Sequence, residues 1–185
     1  VKYLKLEKDT YLMVKASLAL IIGLIVGIAI GLPIGNMVIA NQTTGKALEL
    51  RKASEELRLS LRDLWVDHIF WARSAIIAAK LGDKEAMNIG IQKVLDNAKS
   101  ISSAIEAFYG KEASDRLLQL LNGHAKGVVD YAVGALSKDE KLKSKATQDL
   151  YKNAEDIANF LHNANPTNWP KETLSALLNG HVGHH

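Results

Sequence analysis

The sequence contains no cysteine, few prolines and few aromatic residues, and each shortage excludes a class of protein. Without cysteine the chain has no disulfide framework, no zinc or iron–sulfur site built on thiolates and no cysteine nucleophile. Only 3 of its 185 residues are proline and 6% are aromatic, which disfavours β-sandwiches and barrels. Alanine, leucine, isoleucine and lysine dominate instead, a composition typical of helical proteins. We therefore expect an all-α protein.

Charge is also missing from one long segment near the N-terminus. Residues 16–45 are thirty consecutive residues without a charged side chain, and residues 16–40 are almost wholly apolar. About 20 apolar residues are enough for a helix to cross a bilayer. The pattern predicts a transmembrane helix over 16–40, preceded by a short basic tail over 1–15. The alternative is a cleaved signal peptide, but this segment is longer than the usual apolar region of such peptides, roughly 7–15 residues.

Small residues recur every four positions inside the predicted transmembrane helix and form one stripe along it. They are Ala19, Gly23, Gly27, Gly31 and Gly35. Small residues at this spacing let a second helix approach closely in a bilayer, where dispersion replaces the hydrophobic drive. The stripe predicts a packed partner, either the transmembrane helix of a second copy or that of another membrane subunit. The alternative is that glycine is simply common in spanning helices.

Most of the net charge of +3 comes from the N-terminal region. Residues 1–40 hold four lysines and two acidic residues, which leaves 19 basic and 18 acidic residues in 41–185. A nearly neutral domain offers no basic surface for nucleic acid, whereas the lysines of the tail suit anionic lipid headgroups. Four lysines precede the span and three basic residues closely follow it, so the positive-inside rule favours a C-terminal domain outside the cytoplasm.

Helical periodicity resumes after a short polar linker over 41–45. Apolar spacing and breakers such as Gly82-Asp83 predict long helices over 46–80, 84–108, 112–136 and 139–163, then a short fifth helix over 171–180. Short connections favour antiparallel neighbours. We expect residues 46–182 to form an up-down four-helix bundle with the short fifth helix at its end.

The chain also repeats itself at an offset of 56 residues after the predicted span. His68 aligns with His124 and Asn97 with Asn153, which makes 46–108 and 112–163 two copies of one αα-hairpin. The word LLNGH at 120–124 returns at 177–181. Residues 171–181 are therefore predicted to be the stub of a third copy, with His181 in the place of His124.

Three segments carry a resemblance to a known family. They are 64–73 (LWVDHIFWAR), 108–110 (FYG) and 163–170 (NANPTNWP). Over roughly residues 57–182 the chain resembles a family of uncharacterised prokaryotic proteins that share an LW-x-DH-x-x-W-T-R signature and a predicted helical bundle. Ala72 stands where that signature has threonine. The resemblance implies the helical fold and no particular activity.

Four polar residues are predicted to share one buried layer of the bundle. They are His68, Asn97, His124 and Asn153. All four lie at equal distances from the predicted turns and on apolar helix faces, roughly 20 Å along the bundle. Neutral histidine and asparagine can satisfy each other by hydrogen bonding, so one hypothesis is a structural layer that fixes the pairing of the two hairpins.

The second hypothesis for the same layer is a metal or small-ligand site. His68 and His124 would bind copper or zinc, with His181 as a third ligand and Asp67 as a supporting or ligating carboxylate. Asp67 has no counterpart in the second copy, where Gly123 stands. His162, near a predicted helix end, is expected to be solvated.

No catalytic motif accompanies these residues. The sequence has no Glu-x-x-His di-iron motif, no H-E-x-x-H, no G-x-S-x-G and no Walker A pattern. We expect a single-pass membrane protein that serves as an accessory or assembly subunit of a membrane complex and is not itself an enzyme. The alternative is a metal- or small-ligand-binding protein that uses the His/Asn layer.

Overall fold

A computed structural model describes residues 43–183, and every secondary-structure element among them is a helix. The helices are α1 (Thr43–Leu81), α2 (Lys84–Ala104), α3 (Glu106–Ser137), α4 (Glu140–Ala164) and α5 (Lys171–Val182). The predicted all-helical bundle is confirmed. α1 begins three residues before the predicted 46 and so includes most of the predicted linker over 41–45, because extending a formed helix by a few residues needs no new nucleation.

The two long hairpins turn in the same way. α1 is followed directly by Gly82, whose φ of 78° is in the left-handed region. Asp83 then caps α2 by accepting a hydrogen bond from the Ala86 amide at 2.9 Å. α3 is followed directly by Lys138, which has a φ of 59°, and Asp139 caps α4 by accepting from the Leu142 amide at 2.9 Å. Glycine therefore fills the left-handed position in the first turn, and lysine fills it in the second.

The connection between the hairpins differs from the predicted one. α2 ends at Ala104, four residues before the predicted 108, and α3 already begins at Glu106. The predicted break between 108 and 112 is present as a kink inside α3 at Gly110, which has φ 82° and ψ 168°. A β-carbon is disfavoured at that φ, so the kink requires glycine. The buried Ser114 hydroxyl donates to the Ser102 carbonyl at 2.8 Å and joins α2 to α3 across this turn.

The helices pack mainly on their neighbours in the chain. The largest core cluster joins Leu61 of α1, Ile101 of α2 and Leu117 of α3, with Phe160 of α4 packed against it. α1 touches α3 only slightly, and α1 and α4 share no comparable interface within residues 43–183. The bundle is therefore open between α1 and α4, which differs from a closed arrangement of four helices.

α5 covers part of α4. Trp169 and Leu174 pack against Ala158 and Leu161, and Val182 packs with Leu150 further along the same helix. Burial of these apolar side chains holds the short helix in place, since a 12-residue helix is not stable by itself.

None of the helices within 43–183 is both long and apolar enough to cross a bilayer. The predicted transmembrane segment over 16–40, with its glycine stripe, lies outside the described residues.

Candidate functional site

The first hairpin contains a histidine–asparagine pair from the predicted layer. Asn97 is buried on α2, and its Nδ2 donates to the Leu64 carbonyl of α1 at 2.8 Å. This contact directs Oδ1 of the same amide at Nδ1 of His68, 2.8 Å away. Because Oδ1 can only accept, His68 Nδ1 carries the hydrogen and donates it. Asn97 thus bonds α1 through both ends of its side-chain amide.

The environment of His68 favours the neutral ring. Burial lowers the pKa of His68 below its ordinary value, and the hydrogen bond to Asn97 opposes this shift only in part. Trp65, one turn earlier on α1, meets the imidazole edge-on with ring centroids 5.2 Å apart. In a neutral ring with hydrogen on Nδ1, the lone pair is on Nε2.

The second hairpin repeats half of this arrangement. Asn153 Nδ2 of α4 donates to the Leu120 carbonyl of α3 at 3.0 Å, the same contact 56 residues later in both partners. Oδ1 of Asn153 is buried and has no hydrogen-bond partner among residues 43–183. The helix-joining bond is therefore common to both hairpins, whereas the bond from the amide oxygen to histidine occurs in the first.

His124 has a different neighbour from its counterpart His68. Its ring stacks on that of His181 in α5, with centroids 5.6 Å apart and an interplanar angle of 26°. Both side chains are half-buried. The structure therefore brings together two of the three predicted histidine ligands, His124 and His181. The remaining one, His68, is paired with Asn97.

Glu155 helps to place His181, and the sequence analysis did not identify it. Its carboxylate on α4 accepts hydrogen bonds from the Ser175 hydroxyl and from Asn179 Nδ2, both at 3.0 Å, and these two bonds hold α5 against α4. The position of Asn179 in the second LLNGH word is the sequence signal that could have indicated a polar contact here. A half-buried carboxylate with two donors is a positioning group for the short helix.

The predicted metal ligands are not assembled as one set. Among the described residues, no group of three or more His, Cys, Asp or Glu side chains has the geometry to hold a metal ion. Asp67, on α1, is exposed. The metal that the sequence suggested, copper or zinc, would have His124 and His181 as the two imidazoles that already lie together.

The expectation for His162 was wrong. The side chain is half-buried, and its Nδ1 lies 2.8 Å from the Trp169 carbonyl in the α4–α5 connection. Because a carbonyl only accepts, Nδ1 is the donor. The tryptophan is itself buried against α4, which brings its carbonyl back over the helix end. His162 is therefore part of the turn that leads into α5.

Two surface clefts lie away from these residues. One is formed by the turns of α3 that follow Gly110, and the other lies between α3 and α4 beside Tyr109 and Phe160. Neither is lined by a residue of the predicted layer or of the predicted metal set. The hydrogen bonds of Asn97 and Asn153 therefore join neighbouring helices at places that neither of these two clefts reaches.

The motif that carries the family resemblance lies on α1 around His68. Within it, Trp65 and Leu64 pack against the main core cluster, and Trp71 lies near Lys93, whose Nζ is 5.8 Å from the ring centroid. These contacts give the tryptophans of the motif a role in joining α1 to α2. In comparisons with family models, curated proteins and solved structures, no match to this chain was found.

Proposed function

We propose that this chain is a single-pass membrane-anchored helical scaffold that acts as an accessory or assembly subunit of a membrane protein complex. In this proposal residues 16–40 span the bilayer and dock to another transmembrane helix through the glycine stripe. The basic tail contacts anionic lipid on the cytoplasmic side, and the four-helix part, two copies of one hairpin with a third stub, stands on the other side.

One observation carries the choice of a scaffold. The asparagines of the polar layer donate to backbone carbonyls of the neighbouring helix, Asn97 to Leu64 and Asn153 to Leu120, at equivalent places in both hairpins. Side-chain amides that bond across a helix interface in this way specify which helices pair and at what register. They supply no nucleophile or acid–base pair to a substrate. This use of the layer supports the structural hypothesis over the ligand site.

The docking proposal is tested by adding bulk to the stripe. The variant Gly27→Leu with Gly31→Leu raises the hydrophobicity of the span and so keeps insertion, but it blocks close helix approach. We expect the purified complex to lose the subunit that docks on the stripe, so that its mass falls by the mass of that subunit. The matched control is Val26→Leu with Ile30→Leu, which adds no comparable bulk to the stripe. An unchanged mass for the glycine variant would refute docking through this face.

A second candidate function, binding of copper or zinc, is favoured by the contact between His124 and His181. The test uses the full chain with His184→Ala and His185→Ala, so that the terminal histidines do not contribute. Metal that binds the folded state should raise the melting temperature, and His181→Ala should abolish the increase while His68→Ala keeps it. No increase with Cu²⁺ or Zn²⁺ would eliminate this candidate.

A further inference from the structure

The side of α1 that faces away from α2 carries a stripe of exposed apolar residues. Four residues form this stripe, each between 41% and 59% exposed: Leu59, Val66, Phe70 and Ile77. Successive members are seven, four and seven residues apart, which places them in one line along the helix. The residues that α1 buries lie on the opposite side: Leu57, Leu61, Ala75 and Ala78. α1 thus has two apolar faces, and within the described chain only one of them is covered.

Charged residues continue the same line and have a definite order. Glu56 and Asp63 lie in its N-terminal half, and Arg73 and Lys80 lie in its C-terminal half. Asp63 pairs with the adjacent Arg62 at 2.8 Å, an exposed contact that contributes little stability. Glu56, Arg73 and Lys80 form no ion pair with any residue whose side chain the structure describes.

We propose that α1 pairs with α1 of a second copy, antiparallel, about a two-fold axis level with residue 68. In this register Val66 packs on the partner's Phe70, and Leu59 packs on the partner's Ile77. The same register brings Asp63 to the partner's Arg73, and Glu56 to the partner's Lys80. All four layers are complementary, because each joins two apolar residues or two opposite charges. This homodimer interface goes beyond the proposed docking function and does not depend on it.

The charge order selects this arrangement over the others. A parallel pair would place each of the four charged residues opposite itself, and like charges in facing positions are destabilising. Sliding the antiparallel pair by seven residues in either direction puts an apolar residue against a charge, for example Phe70 against the partner's Arg73. The two-fold symmetry also closes the assembly at two copies, as an isologous interface requires.

The pairing also constrains how two anchored copies sit on a bilayer. Thr43 lies 25 residues from the axis, so the two Thr43 ends are about 75 Å apart at 1.5 Å per residue. With both predicted spans in one membrane, the α1 pair lies along the membrane surface rather than standing on it.

Register-specific cross-linking tests the proposal, since the chain has no cysteine of its own. Full-length Leu59→Cys and Ile77→Cys, distinguished by tags of different size, are mixed in mild detergent and oxidised. A disulfide needs Cα atoms within roughly 7 Å. The antiparallel register meets this limit for the mixed pair, whereas two copies of Leu59→Cys hold their thiols about 27 Å apart. We expect a cross-linked heterodimer in the mixture and no dimer of Leu59→Cys alone.

Charge reversal provides the second arm. Asp63→Arg in both copies should reduce the cross-linking rate by at least about tenfold, because two arginines then face each other at two layers. Adding Arg73→Asp restores opposite charges and should restore the rate. Self-cross-linking of Leu59→Cys, no product in the mixture, or no rescue by the double reversal would each overturn the antiparallel pair. A stripe that instead lies in lipid or on another protein gives no product in the mixture.

Discussion

The two layer asparagines allow a matched test of what the first hairpin gains from its histidine. Asn97→Ala removes a donor to the Leu64 carbonyl and an acceptor for His68 Nδ1. Asn153→Ala removes only the donor to the Leu120 carbonyl, and its Oδ1 has no partner within residues 43–183. The same change at equivalent positions therefore breaks two hydrogen bonds in one hairpin and one in the other.

The structure sets the expected magnitudes. Each hydrogen bond contributes about 0.5–1.5 kcal/mol net, and a buried group left without its partner costs about 1–3 kcal/mol. Loss of Asn97 leaves the half-buried His68 Nδ1 without its partner, so we expect the free energy of unfolding to fall by about 2–4 kcal/mol. For Asn153 the carbonyl partner keeps its helical bond, and the deleted Oδ1 was itself buried without a partner. We expect a loss of about 1 kcal/mol or less there.

The assay is urea unfolding of the full chain in a non-denaturing detergent, followed by circular dichroism at 222 nm, where α-helices have strong negative ellipticity. Stability changes are read from the midpoints at constant slope. The double variant Asn97→Ala with His68→Phe should recover part of the loss, because the donor that Asn97 satisfied is then absent. Equal losses for the two asparagines, or a larger loss at Asn153, would refute the reasoning that the His68 bond distinguishes the hairpins.

Further changes test the packing, the second turn and the pH response. Gly90→Ala should lower the free energy of unfolding by about 1–3 kcal/mol, because its β-carbon would lie 2.9 Å from the Ala75 β-carbon and 3.0 Å from Ala75 backbone atoms. The control is Gly180→Ala, whose β-carbon would have nothing within 4 Å and should stabilise the helix in the same urea assay. Lys138→Gly should raise the thermal midpoint by relieving the left-handed lysine, a gain of about 0.5–1 kcal/mol. Because the pKa of His68 is lowered in the folded state, the unfolded chain binds more protons as the pH falls. We expect the free energy of unfolding to be highest above pH ~6.5 and to decrease below it. In a pH series of unfolding curves, His68→Gln should make this decrease smaller.

Local patterns in the sequence were sufficient to predict the helices and part of the candidate site. The 3.6-residue periodicity and the Gly82-Asp83 turn predicted the helices, because helices and tight turns form between residues that are close in the sequence. The predicted end of α2 at 108 was wrong: the helix ends at Ala104, near a hydrogen bond between Ser102 and Ser114, which lie 12 residues apart in the chain. The inward direction of Asn97 could be read from the apolar residues around it.

Only the tertiary structure decided which partner each histidine has. His68 and His124 occupy equivalent sequence positions, yet one bonds Asn97 and the other stacks on His181, because Glu155 and apolar contacts fasten α5 over the second hairpin alone. The sequence also could not show that the stripe of exposed apolar residues on α1 is left uncovered by the other helices. A helix that is apolar on two sides gives no periodicity that says which side is covered, and that choice is made by packing between residues distant in the chain.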